Sequence, residues 1–168
     1  MKKMMIGFAA AAMLALSPTM AAAQTETGAI GVWHLGTLED GTTCAMAAGG
    51  NGQMFGLAYN SATNTLLLAA ENQAVQVPVG PVTVQVTIDT QTHDVAGTGE
   101  GDHVILATNS DSEAAAMALV HAEHFSFSVA GTQLVSVLSD ADFEHAVTAT
   151  FQCASQHAAA PHASTHRI

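Results

Sequence analysis

Positive charge is almost missing from this chain. Three lysines and arginines stand against 14 aspartates and glutamates. Two of the three, Lys2 and Lys3, lie at the very front, so from residue 24 onward Arg167 alone faces all 14 carboxylates, a formal charge of −13. Nucleic-acid binding needs cations to displace counterions from phosphates, and a polybasic membrane contact needs them as well. Both partner classes are excluded. Cysteine is scarce too, with only Cys44 and Cys153, so no Cys-x-x-Cys redox motif or four-cysteine zinc site can be assembled. The longest apolar run, from Met4 to Leu16, has 13 residues, whereas a membrane-spanning helix takes about 20. There is no Gly-x-Ser-x-Gly elbow, no Gly-x-x-x-x-Gly-Lys phosphate loop and no His-Glu-x-x-His helix, which leaves no motif-based ground for an enzyme.

The short run fits a different role. Lys2-Lys3, the apolar segment, and then Ser17-Pro18-Thr19-Met20 before Ala21-Ala22-Ala23 follow the order of a secretory signal peptide. Residues 1–23 are therefore expected to be cleaved after Ala23, which delivers the chain to the periplasm or medium without membrane insertion. What remains has 145 residues, the size of one domain. In an oxidising compartment an even pair of cysteines is expected to form a disulfide, here Cys44 to Cys153, the alternative being two free thiols.

Hydrophobic periodicity sets the fold class. Val82, Val84, Val86 and Ile88 alternate with polar residues, as do Phe125, Phe127 and Val129, and strict alternation is the mark of a half-buried strand. Turn residues at Leu38-Glu39-Asp40-Gly41, Asn60 to Asn64 and Ala130-Gly131 separate further strand candidates. The sum is a mostly antiparallel sheet of about eight strands, a sandwich or partial barrel. Two short helices join it. Ser110-Asp111-Ser112-Glu113 has the pattern of a capping box, predicting a helix to about His124 with Met117 and Val120 on its buried face. Ser139-Asp140-Ala141-Asp142 caps a second helix presenting Phe143, Ala146, Val147 and Thr150, with Cys153 in its last turn. The class is thus α+β, a single domain over residues 24–155 with its C-terminal helix tied down by the disulfide. An alanine- and histidine-rich tail, 156–168, is expected to be disordered.

Nine histidines stand out in so uncharged a background. His157, His162 and His166 in the tail are candidate ligands for Zn²⁺, Cu²⁺ or Ni²⁺, although the same residues suit a plain solvating tail. His121 and His124, three apart at the end of the first helix, form a second candidate pair, against which stands a partly buried histidine near a helix C-terminus. Gly97-Thr98-Gly99-Glu100-Gly101-Asp102 is read as a turn between two strands. The neighbours Asp102-His103 and His93-Asp94 are poor triad partners, since adjacent strand residues face opposite ways.

Trp33 soon after the leader, Cys44 about ten residues later, the Val-x-Val-x-Val-x-Ile-Asp strand at 82–89, and a closing strand, serine, helix and cysteine ending at Cys153 resemble the invasion-associated locus B proteins, small exported proteins of alphaproteobacteria. The resemblance spans residues 31–153, without those proteins' extra cysteines and lysine-rich stretch. It implies a non-enzymatic, exported, β-rich domain. The function expected from all of this is a periplasmic binding or structural module that contacts a protein or envelope component. The alternative is a histidine-dependent metal-binding or pH-responsive protein, because protonating all nine histidines would carry the charge from −13 to −4.

Overall fold

The computed structural model describes residues 25–159. The leader, its cleavage point after Ala23, and His162 and His166 lie outside them. The chain folds into ten strands and two helices. The strands are β1 (Thr25–Ile30), β2 (Trp33–Thr37), β3 (Thr43–Gly50), β4 (Gln53–Asn60), β5 (Thr65–Asn72), β6 (Val77–Ile88), β7 (Gln91–Gly101), β8 (His103–Thr108), β9 (His124–Val129) and β10 (Thr132–Leu138). Helix α1 (Ser112–Val120) separates β8 from β9, and α2 (Ala141–Ala159) closes the chain. The ten strands exceed the expected count of about eight; β1, among them, carries no alternating apolar residues, five of its six positions being exposed.

All strands pair antiparallel in one sheet, ordered β1-β2-β3-β4-β5-β8-β7-β6-β9-β10. The first five form a meander whose turns are legible locally. Asn51-Gly52, between β3 and β4, has positive φ at both residues (54° and 77°), the two-residue hairpin geometry that asparagine and glycine accept. The hairpin of β6 and β7 then projects past β5, and β8 returns to pair with β5. The sheet doubles over at that point. Gly99 lies where β7 crosses the bulged start of β6, and a Cβ there would sit 2.1 Å from the Pro78 carbonyl oxygen and 2.6 Å from Val77. Only glycine allows so close an approach of backbones. The glycines at 97–101 therefore belong to a strand, which corrects their reading as a turn.

The fold-over brings β9 and β10 across β4 and β5. Phe55 of β4 meets Phe125 and Phe127 of β9 at ring-centroid distances of 5.2 and 5.6 Å, and Trp33 and Phe143 at 6.1 and 6.3 Å. The sheet is open, with β1 and β10 as its ends. Helix α2 packs over β1 to β4, burying Phe143, Ala146, Val147 and Thr150, the face anticipated from its sequence. Its N-terminus is capped as expected, the Asp140 carboxylate accepting the Phe143 N–H at 2.9 Å. It continues past Ser155 to Ala159, so the start of the expected tail is helical and Cys153 lies two turns before the end.

The first helix departs further from expectation. Asp111 occupies the cap position in the left-handed region, without a side-chain cap bond, and the Ser110 carbonyl instead accepts from the Thr108 hydroxyl. The helix stops at Val120, Met117 is 37% exposed, and His124 opens β9. Residues 121–123 form a turn instead, and His124 already pairs with Leu138 of β10.

Candidate functional site

The turn before β3 fixes one sulfur. The Asp40 carboxylate accepts the backbone N–H groups of Thr42 and Thr43 at 2.9 and 2.7 Å and the Thr43 hydroxyl. Partial burial works to raise the Asp40 pKa, but the bonds from Thr43 and Thr42 together outweigh it and hold the carboxyl below its usual 3.8. Asn60 adds bonds to the Thr42 and Thr43 hydroxyls, so the residue before Cys44 is tied from two sides. A group whose folded pKa is depressed stabilises the fold above its unfolded pKa and loses that effect as pH falls through the folded value. Asp40→Ala is expected to cost about 1 kcal/mol at neutral pH, the side chain being largely solvated. Denaturant titrations of the variant and wild type should converge as pH falls through the depressed folded value, which lies below 3.8.

Cys44 and Cys153 are bonded, with Cα atoms 6.0 Å apart and a sequence separation of 109. This is the expected pairing, and it joins β3 to α2. Four residues beyond Cys153, on the same face of the helix, His157 comes alongside. Both sulfurs and an imidazole nitrogen of His157 lie within 4.8 Å of one another, the one such set of three or more potential ligands among the described residues. Cys44 is 1% exposed, Cys153 is half-buried and His157 is open to solvent. Of the tail histidines, His157 alone is described, and its neighbours are the cysteines. The second expected pair is not assembled as foreseen. His121 ends α1, while His124 begins β9 with its Nδ1 3.8 Å from the Asp89 carboxylate.

Sequence reasoning set His103 aside as a poor partner for Asp102, yet the two are in contact. The His103 Nδ1 lies 2.9 Å from Asp102 and its Nε2 3.2 Å from Glu100, and the ring is buried opposite Glu71 of β5. Asp102 sits between two strands, so the rule that neighbours face opposite ways does not apply to it. A neutral imidazole donates to one carboxylate, and protonation adds the second donor. The Nε2 nitrogen that a catalytic triad would aim at a serine faces Glu100 instead.

A third feature is an unpaired edge. From Gln91 to Gly97, β7 pairs with β6 on one side, whereas β8 joins the other side only at Thr98 and Gly99. Residues 91–96 are all exposed. Among the described residues no strand covers that edge, and no helix is long and apolar enough to cross a membrane. Comparison with known proteins gives no match: no family model fits the chain, and no curated protein or solved structure is significantly similar to it.

Proposed function

We propose that the chain is an exported, non-enzymatic binding module that receives an extended segment of another envelope protein on the open edge of β7. The observation that carries this reading is the six-residue exposed stretch 91–96, which among the described residues pairs with a strand on one side only. A free edge offers a row of main-chain donors and acceptors for strand addition. Charge selects the guest. Residues 25–159 hold all 14 carboxylates and no lysine or arginine, and Asp94 stands on the edge strand itself, so a segment bearing lysine or arginine is favoured and like-charged ones are repelled. The resemblance of residues 31–153 to the locus B proteins implies a non-enzymatic, exported, β-rich domain, which is compatible with this reading.

A photo-crosslinking residue at Val95, with a second at Ala62 in the distant β4–β5 turn as control, tests this in intact cells of the native host. Val95 is expected to give a discrete protein adduct that weakens as salt is raised, since rim charges are screened within about 10 Å at 0.1 M. Equal labelling from both positions, or no adduct from Val95, would remove the reading.

A further inference from the structure

The geometry points to a second state of the staple, in which reduction turns Cys44, Cys153 and His157 into a binding site for a d¹⁰ cation, Zn²⁺ above all. Two thiolates and an imidazole form a donor set that zinc favours, with a fourth position left to water. In tetrahedral coordination, with Zn–S of about 2.3 Å, two sulfurs stand about 3.8 Å apart. They need separate by only about 1.8 Å from their bonded distance, a shift that side-chain rotation supplies. The imidazole already lies within 4.8 Å of both. Cys153 and His157 are in the closing turns of α2, where the helix dipole favours a cation, and no lysine or arginine among residues 25–159 opposes one.

The ligands stay in place when the bond opens because other contacts hold the helix there. The Ser61 hydroxyl donates to the Ala154 carbonyl at 2.6 Å, and the Tyr59 and Phe151 rings stack at 4.1 Å with planes 17° apart. Cys153 is also the accessible sulfur. A dithiol reductant attacks it, and the electron pair of the S–S bond leaves on Cys44. The second thiol of the reductant then displaces Cys153 and closes its own disulfide, so two electrons and two protons pass to the protein. Zinc binding releases those two protons as the thiols become thiolates. The metal thereby replaces a covalent link between β3 and α2 with a coordinate one.

The test uses the chain as purified from its host, oxidised or treated with a phosphine reductant that adds no competing thiol, and titrated with Zn²⁺ by calorimetry in two buffers of different ionisation heat. The reduced chain is expected to bind one Zn²⁺ with release of about two protons, and the oxidised chain to bind none with that signature. His157→Ala should weaken the reduced chain's affinity by at least about tenfold, while His145→Ala, on the same helix, should leave it unchanged. If reduction loosens the fold, restoration of the Trp33 near-ultraviolet signal by zinc in the wild type and not in His157→Ala supports the site. Zinc binding that ignores the redox state or His157, or that leaves a loosened fold unrestored, overturns it. None of these outcomes depends on the β7 edge.

Discussion

Replacing Cys44 and Cys153 together by alanine is expected to lower the free energy of unfolding by about 3–5 kcal/mol. The bond closes a loop across 109 residues of sequence, and in the chain-entropy model a loop of that length takes about 4.7 kcal/mol from the unfolded ensemble. Native contacts set how much of this is realised. Because Ser61 and the stacked Tyr59 and Phe151 also hold α2, the folded state needs little adjustment when the bond is lost, and the cost falls on unfolding freedom rather than on structure. The midpoint of thermal unfolding should drop on the order of 15 °C. Calorimetry of the variant and of the reduced wild type, with a chelator present, separates the bond from the packing of the sulfurs, since both should fall alike. A change under about 1 kcal/mol in either would show that the staple closes a loop already constrained in the unfolded chain.

Phe55→Ala is expected to cost a similar amount, about 3–5 kcal/mol. The residue is 1% exposed and touches four rings from three separate elements: Trp33 of β2, Phe125 and Phe127 of β9, and Phe143 of α2. Removing it opens a cavity between the two halves of the folded sheet, where no single neighbour can collapse to fill the space. Double variants should be non-additive with Phe143→Ala, because the two rings share walls with Trp33 and Phe125. Chemical denaturation should move the midpoint without altering the denaturant slope if the fold persists.

How well each element could be read from sequence follows the range of the interactions that form it. The strand at Val82 to Ile88 and the second helix are strongly patterned, and both are present, with Val84 and Val86 of the strand buried, Val82 and Ile88 half-buried, and the helix face at Phe143, Ala146, Val147 and Thr150 buried. Local chemistry was enough for them: alternation in one case, an aspartate cap and an apolar face in the other. The first helix is present but ends at Val120 rather than near His124, because His124 pairs with Leu138 of β10, a contact that no local rule sees. The glycines at 97–101 misled for the same reason, since a short glycine-rich stretch reads as a turn unless one knows that Pro78 and Val77 lie against it. His157 was legible as a possible ligand, but its partners were not. Four residues on a helix relate it to Cys153, whereas Cys44 reaches it only through the packing of β3 beneath α2.

The order of residues alone determined the acidic, cation-poor character of the chain, its α+β class, the pairing of its two sulfurs and the buried face of the closing helix, because composition, periodicity and an even cysteine count are local or global sums over the chain. Only the tertiary structure decided that one edge of β7 is left open, that His103 sits between Glu100 and Asp102, and that an imidazole stands beside the disulfide. Each of these depends on where the doubled sheet and the last helix meet, and that is set by aromatic rings and glycine contacts between residues far apart in sequence, whose energies act only once the chain has closed on itself.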